Sequence, residues 1–318
     1  MSDLILVYEP DSAADARTYG EALAPAFPGH AIVATSNRTE ALARAPETTV
    51  LIAKAQNISA ELLRTMPRLG WIQALTTGID PLLALNLPSS IIVTSARGIH
   101  GPQMAELTLL LMMALSRNFP QMLANQREAK WERWGQRLFV GKTVVIVGVG
   151  AISEALAARC KPFGLKVIGI TNRRVAEHFD ELHPRQRLHE AASRADFLVL
   201  LVPYSPETHH LIDASVLAAM KPTAHLINVS RGSVVDEAAL IAALQSRRIA
   251  GAGLDVFAQE PLPPGSPFWA LDHVIVTPHV GGMSDVYAEQ IVPLLVHNIR
   301  AYLAGNSAAM LNRVYLEN

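Results

Sequence analysis

Short apolar segments alternate with stretches of helix length in two successive series along the chain. The first series has its apolar segments at residues 4–8, 31–35, 50–53, 71–75 and 91–94. The second series has six, at residues 143–147, 166–170, 196–201, 224–228, 250–255 and 273–276. Neighbouring parallel strands need a crossover of a dozen residues or more, usually a helix, so this alternation predicts two parallel α/β sheets. The six-segment series also fits a doubly wound nucleotide-binding sheet.

The stretches between the apolar segments carry helix signals. Ser12 and Ser59 are residues of the type that favours a helix N-terminus, and helices are predicted after both. A long apolar helix is predicted over residues 101–117 and a charged helix over 119–134. A final helix is predicted over about 284–304. Because it follows the second series, sequence order does not fix its packing partner.

Composition excludes several classes of protein. The 318 residues are half hydrophobic and only 17% charged, against about 25% charged in an average soluble domain, which excludes a disordered chain. A formal net charge of −1 provides no basic field, so neither nucleic acid nor a membrane is an expected partner. The single cysteine, Cys160, excludes an intramolecular disulfide framework. No metal is expected, since the adjacent His209 and His210 lack an accompanying carboxylate cluster.

With no signal-peptide pattern and no apolar stretch long enough to span a bilayer, a cytoplasmic protein is expected.

A glycine turn follows the first strand of the second series. Gly148 and Gly150 stand between an apolar strand and a predicted helix, the context that distinguishes a dinucleotide fingerprint from a chance glycine pair. The first glycine permits a tight turn, and the second lets the backbone approach a pyrophosphate at the helix N-terminus, at Ala151 and Ile152. Ser153 replaces the third glycine, whose role is close helix–strand packing, and we expect a side chain this small to be tolerated. A plain strand–turn–helix connection is the alternative interpretation.

The segment after the next strand bears on the choice of cofactor. An acidic residue there would accept hydrogen bonds from the adenosine ribose. The sequence instead reads Thr171, Asn172, Arg173 and Arg174. Guanidinium groups bind phosphate through charge-assisted hydrogen bonds, so the pattern favours NADP(H) over NAD(H). A solvated arginine pair on an exposed loop is the alternative.

Three polar residues follow later strands of the second series, where ligands bind in open α/β sheets. They are Arg231, Glu260 and His279. A guanidinium can bind a carboxylate, a histidine can exchange a proton with a hydroxyl or carbonyl oxygen, and a carboxylate can orient that histidine. Each residue taken singly is more readily explained as a surface or loop residue, so the prediction rests on the set.

Four regions resemble the motifs of one family, in the same order. They are GVGAI at 148–152, NVSRGSVVDE at 228–237, GAGLDVF with EP at 251–257 and 260–261, and TPHVGG at 277–282. Through them the chain, from about residue 50 to 300, resembles the D-isomer-specific 2-hydroxyacid dehydrogenase family, and in particular its glyoxylate/hydroxypyruvate reductase branch. Ser153 is the main departure from the family pattern.

The resemblance implies roles in catalysis and substrate binding. Arg231 would bind the substrate carboxylate, His279 would be the acid/base, and Glu260 would pair with that histidine. In the first series, Thr77 and Gly78 resemble a loop whose backbone N–H groups meet the substrate carboxylate.

The resemblance also implies further cofactor contacts. Asp255 would contact the nicotinamide carboxamide. The other implied contacts are Val202, Pro203, Val229, Ser230 and Gly281. NADP(H) remains the expected cofactor in preference to NAD(H).

The implied fold is α/β with two doubly wound parallel-sheet domains. A Rossmann nucleotide-binding domain would be inserted into a flavodoxin-like substrate domain, with boundaries at 1–98, 99–286 and 287–318. Family members are commonly homodimers, with the helix pair around 101–134 at the interface, so a homodimer is expected. Trp131 and Trp134 would belong to that contact, although packing of one of them in the core is equally consistent with the sequence.

The implied activity is NADPH-dependent reduction of a small 2-oxo acid, similar to glyoxylate or hydroxypyruvate, to the D-2-hydroxy acid. The alternative is a dinucleotide-sensing binding protein, similar to corepressors of this fold, with little turnover. The complete set of Arg231, Glu260 and His279 favours the enzyme, because a sensor need not keep it.

Overall fold

The structure is a computed structural model that describes residues 3–173 and 175–315. Its chain divides into two compact units. One unit runs to His100 and resumes at Ser284, and the other runs from Gly101 to Met283. Among the described residues, no helix has the length and apolar character that crossing a membrane requires.

The first unit contains a six-stranded sheet. Its strands are β1 (Leu4–Tyr8), β2 (Ala31–Thr35), β3 (Thr48–Ala53), β4 (Trp71–Ala74), β5 (Ile92–Thr94) and β13 (Arg313–Val314). The strand order is β13-β5-β4-β3-β1-β2. Strands β1 to β5 pair in parallel, and β13 pairs antiparallel with β5. The order β2-β1-β3-β4-β5 is that of a flavodoxin-like doubly wound sheet, as expected.

Helices cover both faces of this sheet. They are α1 (Ala13–Ala26), α2 (Arg38–Arg44), α3 (Ala60–Arg64), α4 (Asp80–Leu83) and α11 (Tyr287–Leu303). The predicted N-terminal residues Ser12 and Ser59 are confirmed, since their side chains accept hydrogen bonds from Asp15 N and Leu62 N.

The final helix completes one core of the first unit. Ile291, Leu295 and Ile299 of α11 are fully buried in the same cluster as Leu23 and Trp71. This hydrophobic core is therefore built from two parts of the chain that are distant in sequence.

The second unit contains a seven-stranded parallel sheet. Its strands are β6 (Thr143–Val147), β7 (Lys166–Ile170), β8 (Glu181–His183), β9 (Phe197–Leu200), β10 (His225–Asn228), β11 (Gly251–Leu254) and β12 (Val274–Val276). The order β12-β11-β10-β9-β6-β7-β8 is the Rossmann order with one further strand. The chain therefore reverses direction across the sheet at β6, from which β7 and β9 lie on opposite sides.

Helices pack on the two faces of this sheet as well. They are α5 (Gly101–Ser116), α6 (Phe119–Arg127), α7 (Ala151–Cys160), α8 (Leu188–Arg194), α9 (Ala214–Ala219) and α10 (Glu237–Gln245). Val144 and Ile146 of β6 share a core with α5 and α7, whereas Val145 and Val147 share one with α8, α9 and α10. Alternate residues of a strand point to opposite faces, so an almost continuous apolar run fits a strand buried on both sides.

Two strands were not predicted. Strand β8 was missed because Glu181-Leu182-His183 is short and mostly polar, and strand β13 was missed because it has only two residues.

One helix was predicted too long. The helix expected over 119–134 ends at Arg127, and Trp131 lies outside it with 92% of its surface exposed. Ala129 has a φ of 54°, and the N–H groups of Ala129 and Lys130 donate to the carbonyls of Gln126 and Asn125. This is a Schellman termination with alanine in the place that glycine usually takes, so no glycine marks the end of the helix.

Candidate active site

The glycine turn of the second unit links β6 to α7. Gly148 has a φ of 90°, and a Cβ added there would lie 2.8 Å from the backbone of Val202. The segment after β9 thus packs directly on the turn, and Gly148 is required for that approach.

Gly150 serves a different purpose in the same turn. No described atom outside its neighbours lies within 4 Å of the place a Cβ would take at Gly150. Gly150 is also the N-cap of α7, and glycine has no side chain with which to cap the first N–H groups, among them those of Ala151 and Ile152. An open approach and available N–H groups fit the pyrophosphate of a dinucleotide.

Ser153 occupies the place of the third glycine. It is buried, and its Oγ donates to the carbonyl of Gly148 at 2.5 Å. The hydroxyl therefore satisfies its hydrogen-bonding capacity on the turn itself, which explains how serine is accommodated against the strand.

The loop after β7 holds one predicted arginine close to this turn. Arg173 Nη1 lies 2.8 Å from Glu154 Oε1, and the backbone N–H of Arg173 donates to Thr171 Oγ1 at 3.1 Å. Asn172 is exposed. Arg174 lies outside the described residues. Sequence analysis did not single out Glu154, which stands 19 residues before its partner.

Arg231 and Glu260 belong to neighbouring loops, after β10 and β11. A Cβ added to Gly232 would lie 1.9 Å from the carbonyl carbon of Phe257, so these two loops touch through a position where only glycine fits. Arg231 Nη1 donates to Ser230 O at 2.7 Å, and its carbonyl accepts from Asn228 Nδ2 at 3.0 Å. The loop that carries the guanidinium is therefore fixed at the end of β10.

His279 and Glu260 are in direct polar contact. His279 Nδ1 and Glu260 Oε2 are 2.7 Å apart, while Glu260 Oε1 accepts from the backbone N–H of Phe257 at 2.9 Å. Both carboxylate oxygens thus have partners, and the second ring nitrogen of His279, Nε2, is not used in this contact.

The charged forms of His279 and Glu260 stabilise each other. The hydrogen bond with Glu260 raises the pKa of His279, although partial burial and the charge of Arg231 oppose the rise. Partial burial disfavours the Glu260 carboxylate, but the hydrogen bonds from His279 and Phe257, with the charge of Arg231, hold its pKa below the usual value. The arrangement therefore favours an imidazolium beside a carboxylate.

Asp255 organises the turn in which His279 lies. Its side chain is buried; Oδ1 accepts from Thr277 Oγ1 at 2.5 Å and from Val280 N at 3.0 Å, and Oδ2 accepts from Gly281 N at 2.9 Å. Both oxygens thus bind the segment 277–281.

The other predicted cofactor contacts flank these groups. Val202 and Pro203 follow β9, and Val202 lies against Gly148. Val229 and Ser230 follow β10, and both are buried. They lie at the carboxyl ends of the central strands of the sheet.

The predicted substrate loop lies in the first unit, after β4. Thr77 Oγ1 is 2.8 Å from His100 Nδ1, and Thr76 Oγ1 donates to Gly78 O at 2.7 Å. Tyr287, at the start of α11, donates from its hydroxyl to Leu75 O. Sequence analysis missed His100 and Tyr287, because both are remote in sequence from the loop and neither stands in a motif.

The His100 ring has further restraints. It is buried and lies 5.2 Å from the ring of Tyr287, centroid to centroid. Burial lowers the pKa of His100 to about 4, so the imidazole is neutral near pH 7.

A Rossmann-order sheet with a glycine turn of this geometry defines a dinucleotide-binding protein, and the pair of His279 and Glu260 follows later strands of the same sheet. The chain belongs to the D-isomer specific 2-hydroxyacid dehydrogenase family. Residues 109–281 match the family described as "D-isomer specific 2-hydroxyacid dehydrogenase, NAD binding domain". The family resemblance seen in the sequence is thereby confirmed.

Curated relatives agree with this assignment. A glyoxylate reductase of Thermococcus litoralis is 34% identical over 284 residues, which cover 82% of this chain and 86% of that protein. A D-3-phosphoglycerate dehydrogenase of Methanocaldococcus jannaschii is 32% identical over 289 residues, which cover 88% of this chain. The match spans only 55% of that longer protein.

Solved structures show the same fold. A D-isomer specific 2-hydroxyacid dehydrogenase family protein from Aeromonas salmonicida has a TM-score of 0.89 and 30% identity, covering 99% of each chain. A D-isomer specific 2-hydroxyacid dehydrogenase from Xanthobacter autotrophicus, in complex with NADPH and MES, has a TM-score of 0.82 and 31% identity, covering 99% of this chain and 98% of that one.

Proposed function

We propose that the protein catalyses the NADPH-dependent reduction of a small 2-oxo acid to the D-2-hydroxy acid. The observation that carries the proposal is the 2.7 Å contact between His279 and Glu260, with Arg231 close enough to affect the pKa of both. This group lies at the carboxyl edge of the dinucleotide-type sheet, where ligands of such sheets bind.

Each of the three side chains has a separate role in the proposed reaction. Arg231 binds the carboxylate of the 2-oxo acid through charge-assisted hydrogen bonds and fixes its orientation. His279, as an imidazolium, donates a proton from Nε2 to the carbonyl oxygen of the substrate, since Nδ1 is held by Glu260. Glu260 stabilises the charged form of the histidine before that transfer. A bound reduced nicotinamide supplies the hydride.

The substrate domain in this proposal is the first unit. Its Thr77-Gly78 loop offers backbone N–H groups to the substrate carboxylate, as the resemblance implies. Glyoxylate and hydroxypyruvate are the leading substrates, and the relative from Thermococcus litoralis is named a glyoxylate reductase.

The proposed cofactor preference is NADP(H) over NAD(H). The turn at Gly148 and Gly150, with the helix N-terminus at Ala151 and Ile152, would hold the pyrophosphate. The absence of an acidic residue from residues 171–174, directly after β7, and the guanidinium of Arg173 near the turn support binding of the 2′-phosphate. The related structure from Xanthobacter autotrophicus was solved with NADPH.

Steady-state assays test the activity. Glyoxylate, hydroxypyruvate, pyruvate and an aromatic 2-oxo acid are each offered with NADPH and with NADH, and the loss of reduced cofactor is followed by absorbance. We expect the highest kcat/KM for glyoxylate or hydroxypyruvate with NADPH. His279→Gln is expected to lower kcat by about 100-fold or more. His178→Gln, an exposed histidine in the same unit, is the matched control. Tight binding of NADPH without turnover of any oxo acid would contradict the proposal.

We further propose that the protein is a homodimer assembled through the second unit. Leu110 of α5, Trp131 and Leu138 are 62%, 92% and 65% exposed, an unusual concentration of bare apolar side chains in one part of the chain. Light scattering after size exclusion tests this. Leu110→Asp is expected to yield monomers, whereas Leu83→Asp, at an exposed leucine of the first unit, is expected to leave the dimer intact. A wild-type monomer, or a Leu110→Asp dimer, would contradict the interface.

A further inference from the structure

Arg173 is already engaged by a carboxylate. Its Nη1 atom lies 2.8 Å from Glu154 Oε1 and 3.5 Å from the carbonyl oxygen of Val149, and its backbone N–H donates to Thr171 Oγ1. The guanidinium is therefore held beside the glycine turn rather than extended into solvent.

Glu154 belongs to the structure that presents that turn. It stands in the first turn of α7, and its backbone N–H donates to Gly150 O at 2.9 Å. Its side chain is about one-third exposed. The N-terminal end of a helix stabilises a carboxylate, so the position of this charge is favourable in the absence of a ligand.

A 2′-phosphate on the adenosine ribose would therefore meet two charges. It would be attracted by the Arg173 guanidinium, and it would be repelled by the Glu154 carboxylate that contacts the same guanidinium. A nucleotide without the 2′-phosphate meets no such repulsion, and for it the guanidinium is already neutralised by its partner. Repulsion between a phosphate dianion and a carboxylate several ångströms away, partly screened by solvent, corresponds to roughly a five- to tenfold change in affinity.

We infer that Glu154 is a specificity-determining residue that narrows the preference for NADP(H) over NAD(H) by competing with the 2′-phosphate for Arg173. The inference rests on the proposed function, since it requires the dinucleotide to bind at this turn. The carboxylate would weaken NADPH binding and leave NADH binding nearly unchanged, so the site would discriminate less between the two cofactors than a site with an unopposed guanidinium.

Dissociation constants measured without turnover test the inference. NADPH and NADH are titrated into the full-length protein by isothermal calorimetry, and 2′-phospho-AMP and AMP are titrated in parallel. Glu154→Gln keeps the shape and helix propensity of the residue and removes its charge. We expect it to tighten NADPH and 2′-phospho-AMP five- to tenfold, and to change NADH and AMP by less than twofold.

Three controls separate competition from general effects. Glu177→Gln removes an equal charge from an exposed carboxylate beside His178, and it is expected to leave the ratio of the NADPH and NADH affinities unchanged. In an Arg173→Ala background, Glu154→Gln is expected to give a smaller selective gain, because only the direct repulsion between the carboxylate and the phosphate is then removed. The gain should also shrink as salt is raised, because a partly exposed repulsion is screened.

Each outcome has a defined meaning. A Glu154→Gln variant that binds NADPH no tighter than wild type overturns the inference. One that binds NADPH more weakly also overturns it, and shows that Glu154 positions Arg173 for the phosphate instead. If wild-type protein binds neither NADPH nor NADH, the proposed function fails, a result distinct from an unchanged ratio of two measurable affinities.

Discussion

His279 has a backbone φ of 55°, in the left-handed region that residues other than glycine rarely adopt. Its N–H donates to Asp255 O at 2.9 Å and to Thr277 O at 3.1 Å. The Asp255 side chain binds the next two N–H groups of the turn. Conformations of this kind persist only where surrounding contacts hold them, and they cluster at functional sites. The imidazole is thus fixed by its own backbone as well as by Glu260.

The pairing of His279 with Glu260 predicts a pH effect. Because Glu260 raises the pKa of His279, Glu260→Gln should lower that pKa. In the proposed mechanism reduction needs the imidazolium, so the rate of reduction is expected to decline as pH rises through the pKa of His279. In the variant the decline should begin at lower pH, as measured by kcat/KM against pH with saturating NADPH. Glu237→Gln, which changes a carboxylate that accepts from Ala258 N nearby, should keep the wild-type profile. An unchanged profile in Glu260→Gln would remove Glu260 from the mechanism.

Ser153 predicts a stability effect. Ser153→Ala removes the hydrogen bond to Gly148 O inside the glycine turn and should lower the free energy of unfolding by about 1 kcal/mol, measured by urea denaturation. Ser193→Ala removes a similar bond to Glu190 O on an exposed helix and should have a smaller effect, because water can replace the lost partner. Equal losses of unfolding free energy in the two variants would show that burial of the Ser153 hydrogen bond adds nothing to stability.

At the scale of elements, the loop after β4 is tied to two others. Thr77 bonds His100 just before α5, and Ala96 N, after β5, donates to Thr76 O at 3.0 Å. Tyr287 of α11 bonds Leu75 O at the start of the loop. His100 and Tyr287 thus act as positioning residues for the proposed substrate loop.

This bracing predicts a selective loss of substrate affinity. His100→Ala and Thr77→Val should each raise KM for the preferred 2-oxo acid roughly tenfold, in line with the loss of a partly buried hydrogen bond of about 1–1.5 kcal/mol. The dissociation constant of NADPH should stay within twofold, because the glycine turn belongs to the other unit. The double variant should be little worse than either single one, and Thr77→Ser should recover most of the affinity. Strictly additive losses would contradict a direct link between the two side chains.

The elements that sequence predicted well are those with strong apolar patterns. Strands β6 and β7 were placed to the residue, since each has four consecutive buried apolar residues or glycine after one polar residue. Strands β8 and β13 lie at sheet edges, where one neighbour is missing and little apolar surface is needed, so their sequences carry no such pattern.

The site was predictable where its residues follow strands. Arg231, Glu260 and His279 each come after a strand of one sheet, so topology alone suggested that they converge. Contacts between side chains on different elements could not be predicted in this way. Thr77 and His100 are 23 residues apart, and neither the link between them nor that between Glu154 and Arg173 has a fixed spacing that a motif could capture.

At the scale of the whole molecule, each unit contains a buried neutral histidine. Burial lowers the pKa of both His100 and His225 to about 4, from an ordinary value of 6.5. Above pH 6.5 both the folded and the unfolded chain carry neutral imidazoles. As pH falls from 6.5 towards 4, the unfolded chain binds protons that the folded chain does not, so folded stability declines. The loss amounts to roughly 3 kcal/mol per histidine once the pH is below the folded pKa.

The buried histidines predict that the free energy of unfolding falls at acid pH, and that replacing one of them reduces this fall. His225→Gln should make the free energy of unfolding fall less steeply between pH 7 and pH 4.5. The free energy is measured by urea denaturation followed by tryptophan fluorescence. His178→Gln, at an exposed histidine, should keep the wild-type slope. The slope, rather than the stability at pH 7, is the readout, because a buried glutamine has packing effects of its own. An unchanged slope in His225→Gln would show that burial does not suppress protonation there.

The core that α11 shares with Leu23 and Trp71 has a consequence for how the protein is made. During translation the first five strands leave the ribosome well before α11, because the whole second unit is synthesised in between. At about 5–20 residues per second, that interval lasts roughly 10–40 s. Throughout it, the core that Ile291, Leu295 and Ile299 will complete is only partly covered, by α1. A nascent chain at this stage exposes apolar surface of the kind that chaperones bind. The second unit can finish folding before the first one does.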